Sequence, residues 1–160
     1  MEPIKTCPEC GAVWQDQRTC QEIFHEMLYW EAENPSLGEV HHLMVLCYHL
    51  QHPSMYSPEG LDQAKSLLYN FVEVGVHPPQ ICRRDGSKLS SQNRKWKIKA
   101  TEKSRGSYQN EIHWKMVTKD VVFAGKNNYC HSVRKWAKTT YEILKATNNF
   151  GINSQTKQQN

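Results

Sequence analysis

The sequence predicts a mainly α-helical fold: one domain built as a small helical bundle, with a cysteine knuckle at the N-terminus and an irregular middle segment. Three observations carry the prediction. Apolar residues recur at helical spacing in several stretches between residues 19 and 146. A Cys7-Pro8-Glu9-Cys10-Gly11-Ala12 run opens the chain. Between residues 76 and 112 the periodicity dissolves into Pro78-Pro79, Arg83-Arg84-Asp85-Gly86-Ser87 and Lys103-Ser104-Arg105-Gly106-Ser107.

The first helix starts at Thr19, whose hydroxyl suits an N-cap with Glu22 at the capping-box position. It runs to about Glu33 and stops before Asn34-Pro35, because a residue preceding proline avoids the helical region. Phe24, Met27 and Leu28 form its core face, with Glu31 in line. A short Pro35–Gly38 link leads to a second helix from about Glu39 to Gln51, ended by Pro53. So short a link makes the two helices antiparallel neighbours.

Ser57-Pro58-Glu59 starts a third helix, with serine as cap and proline in the first turn. Leu61, Ala64, Leu67, Leu68, Phe71 and Val72 give its stripe, and Gly75 is a natural stop. In the irregular segment, Trp96, Ile98 and Ala100 alternate with lysines and suggest one short extended stretch. Thr118 is read as the cap of a short helix over Lys119–Ala124, and a last helix spans Tyr129 to about Ala146. The expected organisation is a knuckle over 1–18, a helical core over 19–75, the irregular segment over 76–112, C-terminal helices over 113–146 and a disordered tail over 147–160.

With 160 residues the chain suits one domain with a real core. It has no apolar run near the roughly 20 residues a membrane span needs. The start of the chain lacks a basic then apolar leader, so a cytoplasmic protein is expected, with its six cysteines reduced. The net charge of +4 conceals an asymmetry. Residues 1–80 hold 11 acidic against three basic residues, and residues 81–160 hold 17 basic against five acidic. The basic half invites a nucleic-acid reading; attraction between the two halves within one domain is the favoured one.

Two cysteines two residues apart, followed by glycine, form a turn that grips one face of a tetrahedral Zn²⁺. Thiol redox chemistry would want the pair at the start of a helix after a strand, and Gly11 breaks any such helix. Cys20 supplies a third thiol. In an antiparallel pair the start of the first helix lies beside the end of the second, so His52 is the preferred fourth ligand and His49, on the same turn, the runner-up. Such a Cys₃His set has no open position and is structural, a zinc knuckle tied to the helix pair.

His41 stands on the same face as His52 but eleven residues away, about 16 Å along a helix, too far to share one ion. Its favoured role is a partly buried histidine hydrogen-bonded to Glu31 or Glu33. The sharper alternative is a second polar centre in which His41 or His42 acts with a carboxylate as an acid/base pair or metal site. Cys47 and Cys130 read as small buried hydrophobes. Cys82, beside Arg83 and Arg84, has no evident base.

Cys-Pro-x-Cys-Gly-Ala at 7–12, Cys20, and His41-x₃-Val45-x₂-Tyr48-x₂-Gln51-His52-Pro53 together form a specific pattern. Trp96-Lys97-Ile98, Thr118-x-x-Asp120-Val121 and Val133-Arg134-x-Trp136-Ala137 extend it. It resembles an uncharacterised family of small bacterial proteins with a domain of unknown function, over nearly the whole chain to about residue 146. The resemblance implies a cytoplasmic protein with a zinc site and brings no activity with it.

Three functions follow as expectations. The first is a zinc-stabilised protein that binds a macromolecular partner. The second is a metal-dependent hydrolase or transferase with a His41-centred site. The third is a nucleic-acid-binding protein acting through the basic C-terminal half.

Overall fold

The structure, a computed structural model, describes residues 5–14, 18–75, 100 and 105–150. It opens with a hairpin of two short antiparallel strands, β1 (Lys5–Thr6) and β2 (Val13–Trp14), paired Lys5 with Trp14 and Thr6 with Val13. Five α-helices follow among the described residues: α1 (Cys20–Glu33), α2 (His41–Leu50), α3 (Pro58–Tyr69), α4 (Thr118–Ala124) and α5 (Tyr129–Ala146). The mainly helical bundle with an N-terminal cysteine knuckle is what the sequence predicts.

α1 begins where its cap places it: the Thr19 hydroxyl accepts the backbone N–H of Glu22 at 3.1 Å. Its buried face is broader than the three residues expected. Ile23, Met27 and Trp30 are buried, while Phe24 and Leu28 are only partly so. The link after α1 is not extended. Pro35 can open a helical turn at once, having no N–H to satisfy, and Pro35–Val40 forms a 3₁₀ helix. α2 therefore starts at His41 rather than Glu39, and it ends at Leu50.

α1 and α2 lie side by side and antiparallel. Glu31 meets His41 at one end, Phe24 stacks on Tyr48 in the middle with ring centroids 4.2 Å apart, and Cys20 approaches His52 at the other end. α3 follows with the Ser57 hydroxyl accepting from the N–H of Gly60. A π-helical turn, Asn70–Val74, extends it to Gly75, which takes φ +86°, a conformation side chains resist.

α5 is the centre of the bundle, packed on α2, α3 and α4, while α4 also packs on α1. Val133, Trp136, Ala137 and Leu144 of α5 are fully buried, against Leu43, Met44, Cys47 and Leu50 of α2. Removing apolar surface of this kind from water is the main stabilising term, about 1.5–3 kcal/mol per large side chain.

Two expectations are corrected. The short helix is capped one residue earlier than read: the Asp120 carboxylate accepts the Val117 N–H at 2.8 Å, leaving Thr118 as the buried first residue of α4. Packing also does not end at Ala146. Asn149 and Phe150 are buried, and Asn149 exchanges hydrogen bonds with Asn110. The buried Lys65 reaches the Asn149 carbonyl at 3.2 Å. The extended stretch expected at Trp96–Ile98 lies outside the described residues, as do Cys82 and residues 151–160.

Residues 105–117 have no regular element and cross the end of α2. The Tyr108 hydroxyl donates to the Leu50 carbonyl, and Gln51 Nε2 donates to the Met116 carbonyl at 2.7 Å. Gly106 sits so close that a Cβ there would stand 2.8 Å from the Pro53 carbonyl oxygen. This segment fixes the turn that carries His52.

Candidate metal centre

The knuckle is built from the backbone. Gly11, at φ +80°, allows the chain to reverse so that its N–H donates to the Cys7 carbonyl at 3.0 Å, and the Cys7 N–H donates to the Ala12 carbonyl at 2.9 Å. The N–H of Cys10 then points to Cys7 Sγ at 3.5 Å. β1 and β2 hold this turn over the start of α1, where Cys20 is the first residue.

The fourth group comes from the far side of the helix pair. Pro53 keeps His52 out of the helix (φ −130°, ψ 65°), so its ring swings off the end of α2. His52 Nδ1 donates to the Tyr48 carbonyl at 2.7 Å, which leaves Nε2, 3.5 Å from Cys7 Sγ, as the nitrogen that would ligate an ion. Cys10 Sγ and Cys20 Sγ are 3.5 Å apart. All four donor atoms lie within 4.8 Å of one another, and Cys10, Cys20 and His52 are buried.

These spacings suit a metal ion. Sulfur atoms at 2.3 Å from a tetrahedral centre stand about 3.8 Å apart, so Cys10 and Cys20 Sγ, at 3.5 Å, need to open by only a few tenths of an ångström. Cys7, Cys10, Cys20 and His52 could thus hold one ion.

Electrostatics point the same way. Hydrogen bonds from Cys10, Cys20 and His52 hold Cys7 far below the usual thiol range, against the cost of burial. The neighbouring sulfurs of Cys20 and Cys7, with burial, push Cys10 well up. Burial favours a neutral His52, yet its hydrogen bonds to Cys20, Cys7 and the Tyr48 carbonyl outweigh that and push its pKa up to about 10. The cluster concentrates negative charge that a proton on His52, or a metal ion, must balance.

Sequence reasoning missed the groups that orient the donors. The Trp14 indole N–H donates to Cys20 Sγ at 3.4 Å, and Arg18 stacks over the Trp14 ring. Glu9, inside the knuckle, accepts from Ser54 N–H and Oγ at 3.1 and 2.9 Å, tying the knuckle to the turn after His52. Only the position of Trp14 between the second and third cysteines hinted at this.

A family model matches the chain over residues 5–145. The chain belongs to the family of unknown function DUF5946. The match takes in all four donors and every described helix except the last residue of α5. No curated protein and no solved structure matches this DUF5946 chain.

The other candidate residues stand apart from the cluster. His49 donates from Nδ1 to the Val45 carbonyl at 3.0 Å and its ring sits against Phe24 and Tyr56, so the runner-up ligand is not among the converging donors. His41 lies at the opposite end of α2. Its Nδ1 donates to Glu31 Oε1 at 2.7 Å, as the sequence suggested, and the Tyr129 hydroxyl donates to Glu31 Oε2 at 2.5 Å, which it did not. His42 is exposed beside it. Cys47 is fully buried, with burial pushing its thiol up, and Cys130 is partly buried. Among the described residues no helix is long and apolar enough to cross a membrane.

Proposed function

We propose that this protein is a zinc-binding helical domain in which the ion is structural, and that its folded surface engages a macromolecular partner in the cytoplasm. The observation that carries this is the convergence of four donors from three separate elements: the knuckle, the start of α1 and the turn after α2. Three thiolates and one imidazole favour zinc over the oxygen-seeking cations. Four protein donors fill a tetrahedral shell, so no position is left for water or substrate. An ion there joins residues 45 apart in sequence and contributes folding free energy directly.

The test is metal content per chain on untagged protein, with thermal stability measured alongside. One zinc in the wild type, lost with stability in both Cys10→Ser and His52→Ala, supports the reading. Wild-type protein without zinc, or zinc retained in both variants, defeats it.

The basic C-terminal half has a use inside the fold that favours this reading over nucleic-acid binding. Lys126 pairs with Glu33 at 3.7 Å, Arg134 with Glu39 at 3.1 Å and Lys145 with Glu73 at 3.7 Å, each joining the basic half to the acidic one. A gel shift of random duplex or single-stranded DNA by micromolar protein at low salt would reverse that preference.

A further inference from the structure

We propose that His41 and His42 form a second site, for a divalent transition-metal ion, at the end of the bundle opposite the cysteine cluster. Glu31 is buried, and its two oxygens face His41 Nδ1 at 2.7 Å and the Tyr129 hydroxyl at 2.5 Å. The neighbouring carboxylates are matched to cations, Glu33 to Lys126 and Glu39 to Arg134. Among the described residues Glu31 meets an imidazole and a phenol, and no lysine or arginine pairs with it.

The tautomer follows from the bond. With Nδ1–H given to Glu31, the lone pair of His41 sits on Nε2, and the side chain is 41% exposed. A carboxylate behind a histidine is the arrangement that fixes and strengthens an imidazole ligand, and Tyr129 holds the carboxylate in turn. The ring of His42 stands 5.3 Å from that of His41, centroid to centroid, at 79°. An imidazole bound at about 2.1 Å puts its centroid about 3.2 Å from the metal, so two rings at a tetrahedral angle stand about 5.2 Å apart. The observed separation is compatible with two imidazoles sharing one ion. Water would complete the shell, so unlike the cysteine centre this site has open positions.

The site is independent of what the cysteines hold. The experiment titrates Zn²⁺ into untagged protein that already carries its tightly held metal, by calorimetry, with metal content measured before and after. The wild type should take one further equivalent in the micromolar range. His41→Ala and His42→Ala should each weaken that event at least tenfold, while His113→Ala, at a distant exposed histidine, should not. Glu31→Gln should weaken it by about 10- to 100-fold, through the loss of the orienting carboxylate. Should the variants that touch Glu31 fail to fold, the exposed His42→Ala decides alone. No further equivalent in the wild type, or one that survives His42→Ala unchanged, overturns the proposal.

Discussion

Nδ1 of His52 lies 2.7 Å from the carbonyl oxygen of Tyr48, one turn back along α2, and that bond aims Nε2 at Cys7. The orienting group is the backbone of Tyr48, whereas its ring is stacked on Phe24. Tyr48→Phe should therefore leave metal content unchanged, and His52→Gln should lower metal affinity sharply at equal helix content. Competition with a chromophoric chelator reads both variants.

Trp14 donates its indole N–H to Cys20 Sγ at 3.4 Å while the ring is buried. Trp14→Phe keeps most of the packing and removes the bond. Affinity for the ion should fall about tenfold, as for other groups that orient ligands. Trp14→Ala should also cost packing, about 3–5 kcal/mol, and the difference between the two variants in urea titrations separates the effects.

Acidity should act differently on metal-free and metal-bound protein. The pKa of His52, raised from 6.5 to about 10, gives stability that is full below 6.5 and lost as pH rises through 10. The depressed Cys7 gives stability present above its ordinary 9.0 and lost as pH falls through its folded value. Between 6.5 and 9.0 the two slopes cancel, so this pair should hold the metal-free Tm nearly level there and let it fall above. Metal binding expels protons, so the Tm advantage of the loaded protein should grow with pH over the same window. Scanning calorimetry from pH 6 to 10 checks both trends.

Among the described residues the Tyr129 hydroxyl is one of two donors to the buried Glu31 carboxylate. Tyr129→Phe keeps the ring against Trp30 and leaves one carboxylate oxygen short of a partner. A loss of about 1–3 kcal/mol is expected in urea unfolding. Tyr29→Phe, at an exposed tyrosine on the same end of α1, should change stability by less than about 0.5 kcal/mol.

Local signals made the helices legible. Thr19 with Glu22, Ser57 with Pro58, and Gly75 act through atoms within a few residues, so a sequence displays them directly. The convergence of Cys7, Cys10, Cys20 and His52 was legible for a different reason: a short link between helices forces them antiparallel, which brings position 20 to position 52. Tyr129 and Glu31 are 98 residues apart with no pattern joining them, and Trp14 with Cys20 depends on how a hairpin sits over a helix. Phe150 was missed because its partners, Tyr141 and Tyr69, lie on two other segments.

All four donors of the cysteine cluster lie between residues 7 and 52, whereas α5, which covers α2, comes much later, at Tyr129–Ala146. A chain grows from its N-terminus, so these four groups leave the ribosome while the apolar face of α2 still lacks its cover. Closing the 45-residue span from Cys7 to His52 costs loop entropy whenever it happens. An ion captured at that stage meets the cost early and holds α1 and α2 as a finished hairpin on which the later helices dock. Metal supply during synthesis would then set how long the unfinished bundle exposes its core.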